Sequence, residues 1–167
     1  MKLKKLISDD IESFLNKAVA HELTNTQIYL GIYSWLADNG INNGAEVYKK
    51  WAIEESTHAH KAMEYLDDKN AKIIIPALEK SKIEYKSIDE VLLATFDREV
   101  DTDDLYKLIT TKCLREGDHT TATFVEWYLT EQIEEIRRSR EIIDYSNLIG
   151  ESPMRNYFID QEFKKYL

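Results

Sequence analysis

Proline and glycine are scarce in this sequence, with two Pro and five Gly among 167 residues. A sandwich or barrel needs turn-formers every few residues, so the shortage argues against a fold of many short strands. Cysteine is scarcer still. Cys113 stands alone, which excludes an intrachain disulfide framework and any CxxC metal site, and its expected role is that of a small apolar core residue. No hydrophobic run approaches transmembrane length, and the basic opening MKLKKLISDD lacks the apolar stretch of a signal peptide. The expectation is a cytoplasmic protein with no membrane partner. Surplus positive charge is missing too: the formal net charge of −9 argues against nucleic acid as a partner.

What the chain has in quantity is charge and helical periodicity. Charged residues make up 32% of it, which suits long helices laced with surface ion pairs. One domain over residues 1–167 is expected, large enough to bury a substantial core. The apolar face Ile11, Phe14, Leu15, Ala18, Val19, Tyr29, Tyr33 and Leu36 predicts a helix from about Asp9 to Asp38, capped by SDD and stopped by DNG. A second helix runs from near Asn43 to the DDKN stretch. The third starts at SIDE, a capping box of Ser87 and Glu90, and the fourth spans about Thr120 to Tyr145. A short fifth helix follows GESP, with Ser152 as its N-cap and Pro153 at its first position.

The link between the second and third helices, KNAKIIIPALEKSKIEYK, is neither a tight turn nor a convincing helix. About 18 extended residues reach roughly 60 Å, whereas a helix of about 28 residues is only about 42 Å long. The link can therefore travel the whole bundle and leave those two helices parallel. This predicts an all-α, up-down-down-up four-helix bundle with one long crossover and a short fifth helix. Ile73, Ile74 and Ile75 on the crossover would be poorly covered in a monomer, which points to a partner subunit.

Acids then occur where a soluble helix should be apolar. Glu22 interrupts the first stripe between Val19 and Thr26, and Glu99 interrupts the third between Thr95 and Thr102. Glu55 and His58 sit in the stripe that runs through Tyr48, Ala52, Ala59 and Leu66. On the fourth helix Glu131 and Glu135 follow Phe124 and Tyr128, with Gln132 beside them. All lie near mid-helix, so a bundle brings them to one depth. Burying unpaired carboxylates costs several kcal/mol each, and no Lys or Arg shares the stripes around Glu22, Glu55 and Glu99. Two divalent metals would neutralise four such carboxylates, and a Glu on each of two helices plus Glu-x-x-His is a known way for a bundle to hold two irons. Taken singly, each residue has a plainer reading. A lone core His or Glu is more often hydrogen-bonded to a neighbour, and EQIEEIRRSRE alone is more often a solvated face. Glu-x-x-His also occurs as EGDH, Glu116 to His119, where Gly117 places it in a turn.

Over nearly its whole length the chain resembles the bacterial non-haem ferritins. The likeness is carried by LNKAVAHELTNTQIYLGIYSWL, WAIEESTHAHKAMEYL, FVEWYLTEQIEEIRRSREIID and YFIDQEF, with EExxH in the second helix and EQxEE in the fourth. The resemblance implies that Glu22, Glu55 and His58 hold one iron, with Glu55 bridging to a second held by Glu99 and Glu135. Gln132 would lie just outside that second iron. Glu54, Glu131, Glu134 and Glu135 match a third iron site, and Tyr29 matches the tyrosine beside the iron pair, although Tyr29 also reads as an ordinary core aromatic. Bacterioferritins differ by a second Glu-x-x-His, where this chain has Glu134, and by a haem-binding Met, where it has Ser56. No haem is therefore expected.

The resemblance implies iron storage with ferroxidase activity: Fe2+ oxidised by O2 or H2O2 and deposited as ferric mineral in a homo-oligomeric shell of 24 subunits. Glu116, Asp118 and His119 would line a cation entry path at threefold axes, with a solvated turn as the plainer reading. Two alternatives differ in class. A structural mineral-nucleating subunit is disfavoured by the intact ligand set. A diiron oxidase or peroxidase without a shell is disfavoured by YFIDQEF and the isoleucine-rich crossover.

Overall fold

Ser8 starts the first helix by accepting a hydrogen bond from the Ile11 N–H at 3.1 Å. In the computed structural model, which describes residues 3–167, this helix (α1) is Asp9–Asp38. The first two residues of the basic opening lie outside the described residues. Four more helices follow: α2 (Asn42–Asp68), α3 (Ile88–Glu116), α4 (His119–Ile149) and α5 (Arg155–Phe163), then a single 3-10 turn at Lys164–Tyr166. The first three helices end alike. Gly40, Asn70 and Gly117 take left-handed φ values of 72°, 52° and 71°. The next N–H in each case returns to a carbonyl of the last turn (Ile41 to Leu36, Ala71 to Leu66, Asp118 to Cys113).

The short turns make two antiparallel hairpins, α1–α2 and α3–α4, and the crossover joins them so that α2 and α3 run in the same direction. The result is the expected all-α bundle with a short fifth helix. The crossover is held along α1. The Asn16 side chain donates to the Lys72 carbonyl at 2.8 Å and accepts from the Ile74 N–H at 2.7 Å. Farther along α1, a methyl at Gly31 would overlap Ser81 and the Lys82 carbonyl, so the close passage of the crossover requires glycine there. Ile74 and Ile75 remain 51% and 67% exposed, as expected for an uncovered crossover.

Local details differ from the sequence reading. Glu90 completes its capping contact one residue early, accepting from the Lys86 N–H at 2.6 Å, while Ser87 accepts from Glu90 at 3.3 Å. The fourth helix runs past Tyr145 to Ile149 because Ile142 and Ile149 pack in the same apolar cluster as α5. Ser152 does not cap α5. It closes a preceding turn, accepting from Met154 N–H at 3.2 Å and Arg155 N–H at 3.0 Å, and the helix begins after Met154. In return α5 caps α2: the Asp160 carboxylate accepts from the Asn43 and Gly44 N–H groups at 2.8 and 3.1 Å.

The apolar core is divided in two. One cluster, closed by Ile159 and Phe163 of α5, contains Leu36, Tyr48, Trp51, Ile88 and Ile142. The other contains Ile11, Leu15, Leu66, Ile109, Cys113 and Val125. Cys113 is buried there, and burial pushes its thiol up to about 11, as suits an inert core residue. Between the clusters the stripes turn polar.

Candidate metal centre

The polar layer draws on every long helix. Glu22 and Asn25 come from α1, Glu55 and His58 from α2, Thr95, Glu99 and Thr102 from α3, and Gln132 and Glu135 from α4. None is more than 6% exposed. Ligand atoms of Glu22, Glu55 and His58 lie within 4.8 Å of one another, and so do those of Glu55, Glu99 and Glu135. Glu55 belongs to both groups, so a single carboxylate stands between two sets of three donors. The three-residue spacing on α2 puts His58 Nδ1 4.0 Å from the Glu55 carboxylate on the same face.

Each acid has its own support. The Tyr106 hydroxyl donates to Glu22, and the Tyr29 hydroxyl donates to Glu99. Gln132 Nε2 donates to the Glu99 carboxylate at 2.9 Å and to the Glu99 carbonyl at 3.1 Å. Asn25 Nδ2 donates to Glu55 at 3.1 Å, while its Oδ1 accepts from Arg98 Nε at 3.0 Å, which fixes the direction of the amide. The Tyr128 hydroxyl donates to the His58 carbonyl at 2.9 Å, and the His58 ring stands edge-on to Trp127.

The electrostatics follow from burial. Loss of water pushes the Glu22 carboxyl up to about 7. Burial and then the charges of Glu22 and Glu99 hold Glu55 well above the usual carboxylate range, and burial and then Glu99 do the same to Glu135. Glu99 is also raised by burial, with Tyr29 and Gln132 pulling the other way. His58 is pushed down to about 4, by burial first and then by Arg138 and Lys61, so its imidazole is neutral and able to donate a lone pair. Burial, then Glu99 and Glu55, keep the Tyr29 hydroxyl protonated.

The donor set suits a hard or borderline divalent cation, being carboxylate oxygen with one imidazole. Glu135 Oε2 is buried with no hydrogen-bond partner among the described residues, and a cavity of about 10 Å³ lies among Tyr29, Glu55, Thr95, Glu99 and Glu135. That is room for one water-sized group, placed beside an unsatisfied carboxylate oxygen.

The remaining acids behave differently. Glu54 and Glu131 are half-buried and Glu134 is exposed, and among the described residues none of the three joins a group of three mutually close ligand atoms. Arg138 engages Glu54 at 3.3 Å and Glu135 at 3.4 Å. In the turn before α4, Asp118 accepts from the Thr121 N–H at 2.9 Å and caps the helix, Glu116 pairs with Lys112 at 2.9 Å, and His119 is exposed.

Sequence reasoning missed Asn25, Arg98 and Arg138. The stripes offer no cation near Glu22, Glu55 and Glu99, yet two arginines reach the layer from the flanks, Arg98 through Asn25 and Arg138 directly. Spacing carried a signal for two of them, since Asn25 is three residues after Glu22 and Arg138 three after Glu135.

Comparison with known proteins agrees along the chain. A family model described as a ferritin-like domain matches residues 12–149. A bacterial non-heme ferritin of Escherichia coli is 31% identical over 155 residues, covering 89% of this chain and 90% of that protein. A probable bacterial non-heme ferritin-like protein of Haemophilus influenzae is 29% identical over 164 residues, covering 94% and 95%. Among solved structures, an open pore ferritin from the archaeon Archaeoglobus fulgidus superimposes with a TM-score of 0.91 at 24% identity, covering 96% of this chain and 98% of that one.

Proposed function

The chain belongs to the ferritin-like domain family, and from that premise we propose that it is an iron-storage ferritin that oxidises Fe2+ and deposits ferric mineral inside a shell. The observation that carries this reading is the pair of buried three-ligand groups sharing Glu55. Fe2+ is the substrate. One ion binds Glu22, Glu55 and His58, and a second binds Glu55, Glu99 and Glu135. Each ion loses one electron; O2 takes both with two protons and leaves as H2O2, or H2O2 takes them and leaves as water.

The side chains have separate tasks. Neutral His58 supplies a lone pair without adding charge. The carboxylates release protons as metal enters, and their negative charge then favours Fe3+ over Fe2+. Gln132 and Tyr29 hold Glu99 in place, and Asn25 holds Glu55. Tyr29 lies against Glu99 and can also supply an electron. Glu54, Glu131 and Glu134, with Glu135, offer a third iron a place between the pair and the mineral. No haem enters this scheme, and neither nucleic acid nor membrane is a partner.

The shell is a homo-oligomer of 24 chains in the cytoplasm, each a single ferritin-like domain. Exposed apolar side chains on the crossover (Ile74, Ile75) and around α5 (Met154, Tyr157, Phe158) support assembly. Anaerobic addition of Fe2+ followed by air tests the chemistry, and sedimentation tests the size. We expect a large hollow particle that oxidises Fe2+. His58→Ala should keep that particle and slow oxidation by at least the ~10–100-fold that loss of a supporting partner costs at metal sites. An unchanged rate in that variant would remove His58 from the centre, and a stable monomer would favour a small oxidase.

A further inference from the structure

Arg138 stands at the edge of the metal centre, one turn along α4 from Glu135. Its guanidinium reaches Glu54 on α2 at 3.3 Å and Glu135 at 3.4 Å, bridging two helices. The same group lies 5.4 Å from the centroid of the Trp51 ring, a cation–π distance that holds it inward. Its side chain is only 19% exposed, and Nε is buried with no hydrogen-bond partner among the described residues. Arg138 also borders the small cavity beside Glu55, Glu99 and Glu135. The other arginine of the layer, Arg98, reaches the acids only through the Asn25 amide. Among the described residues, Arg138 is the one arginine or lysine that makes a direct ion pair with an acid of the centre.

A guanidinium keeps its charge at any physiological pH and matches carboxylates with a fork of N–H groups. A divalent cation seeking Glu54 and Glu135 must therefore displace it. We propose that Arg138 sets how many metal ions the centre holds, as a resident counter-cation that withholds Glu54 and the Oε1 atom of Glu135 from an ion beyond the first two, while Oε2 of Glu135 stays open to the second. The proposal rests on the reading of the centre as a metal site. It makes Arg138 a specificity-determining residue, one that separates a tight pair of positions from a weak third position opened only when the guanidinium moves aside.

Calorimetric titration of the metal-free, full-length protein with Zn2+, which has no redox chemistry, reads the count directly. Arg138→Gln should bind one more Zn2+ per chain than wild type, or bind its last Zn2+ about tenfold or more tightly, because a unit charge some 5 Å away is gone. Arg138→Gln combined with Glu54→Gln should return to the wild-type isotherm. An Arg138→Gln isotherm identical to wild type would overturn the proposal, and so would a gain that survives the loss of Glu54. If Arg138→Gln does not fold, Arg138→Lys carries the test. A lysine keeps the charge without the fork, so a few-fold gain is expected and no gain overturns the proposal. Glu55→Gln separates the two layers of inference. If that variant binds Zn2+ as wild type does, the metal-centre reading fails, whatever Arg138 does.

Discussion

The four long helices build two kinds of interior. Toward either end they meet through Leu, Ile, Val, Tyr and Trp, and each buried aliphatic side chain contributes about 1.5–3 kcal/mol. At mid-length the same helices bring together four carboxylates and an imidazole, an arrangement that opposes folding until a cation joins it. The difference shows how labour is divided along a bundle. The ends supply stability in excess, and the middle uses part of that excess to hold acids away from the water that would otherwise solvate their charge. A layer of this kind survives only between two well-packed clusters.

Glu55→Gln should break the contrast most sharply, because Glu55 serves both three-ligand groups. Divalent metal binding at both positions should fall by more than ~100-fold, beyond the cost of losing an outer partner. The metal-free protein should become more stable by about 1–3 kcal/mol at pH 7, since an amide at that position can donate to Glu22 and still accept from Asn25. Zn2+ titration and thermal unfolding of the metal-free protein check the two halves. Loss of stability would mean that the charge of Glu55 is satisfied without metal. Glu99 is the poorer choice for this test, because it already accepts from Tyr29 and Gln132 and a Gln there would set one amide donor against another.

Leu15→Ala in the second apolar cluster should do the reverse. A loss of about 2–5 kcal/mol is expected from the cavity it leaves, with Zn2+ stoichiometry unchanged. Denaturant unfolding measures the first, and the same titration measures the second.

A smaller effect sharpens the comparison through pH. Glu22 is raised from an ordinary 4.5 to about 7, so across that interval the folded chain keeps a proton that the unfolded chain has lost. The raised carboxyls Glu22, Glu55, Glu99 and Glu135 therefore take stability from the metal-free protein as pH rises from about 4.5 to about 7, while His21 and His58, each pushed from an ordinary 6.5 to about 4, add stability between those two values. Asp89, held low by Arg155, acts only below its ordinary 3.8 and leaves this window alone. Glu22→Gln separates the carboxyl from the histidines: it should raise the thermal midpoint of the metal-free protein by several degrees more at pH 7 than at pH 4.5, and an equal effect at both values would contradict the burial of Glu22. The smallest change is Asp160→Ala, which uncaps α2 and should cost about 0.5–2 kcal/mol while leaving Fe2+ oxidation at the wild-type rate.

Much of this was legible in residue order. Periodicity located the four long helices because each carries an apolar stripe along its length, and the acids were visible because they interrupt those stripes at one depth. Family likeness then supplied the pairing of Glu55 with both groups. Contacts made between elements were not legible. The start of α5 depends on a turn closed by Ser152, and α2 is capped by Asp160, which lies 117 residues from Asn43. The arginines were hidden for a related reason. A guanidinium reaches inward from the flank of a helix, so stripe membership is a poor guide to what Arg98 and Arg138 touch.

The crossover is pinned to α1 at Asn16 and again at Gly31, about 22 Å apart along the helix. Between two such fixings the backbone has little freedom left to lose. Its outward side chains, Ile74 and Ile75 among them, are thus presented on a segment already ordered. A surface that packs against them meets a rigid ridge instead of a loose strand, and the entropy usually lost in ordering a loop on association has been surrendered during folding. A methyl group at position 31 would lift the ridge at one end, and its first measurable effect should fall on the rate and strength of association between chains.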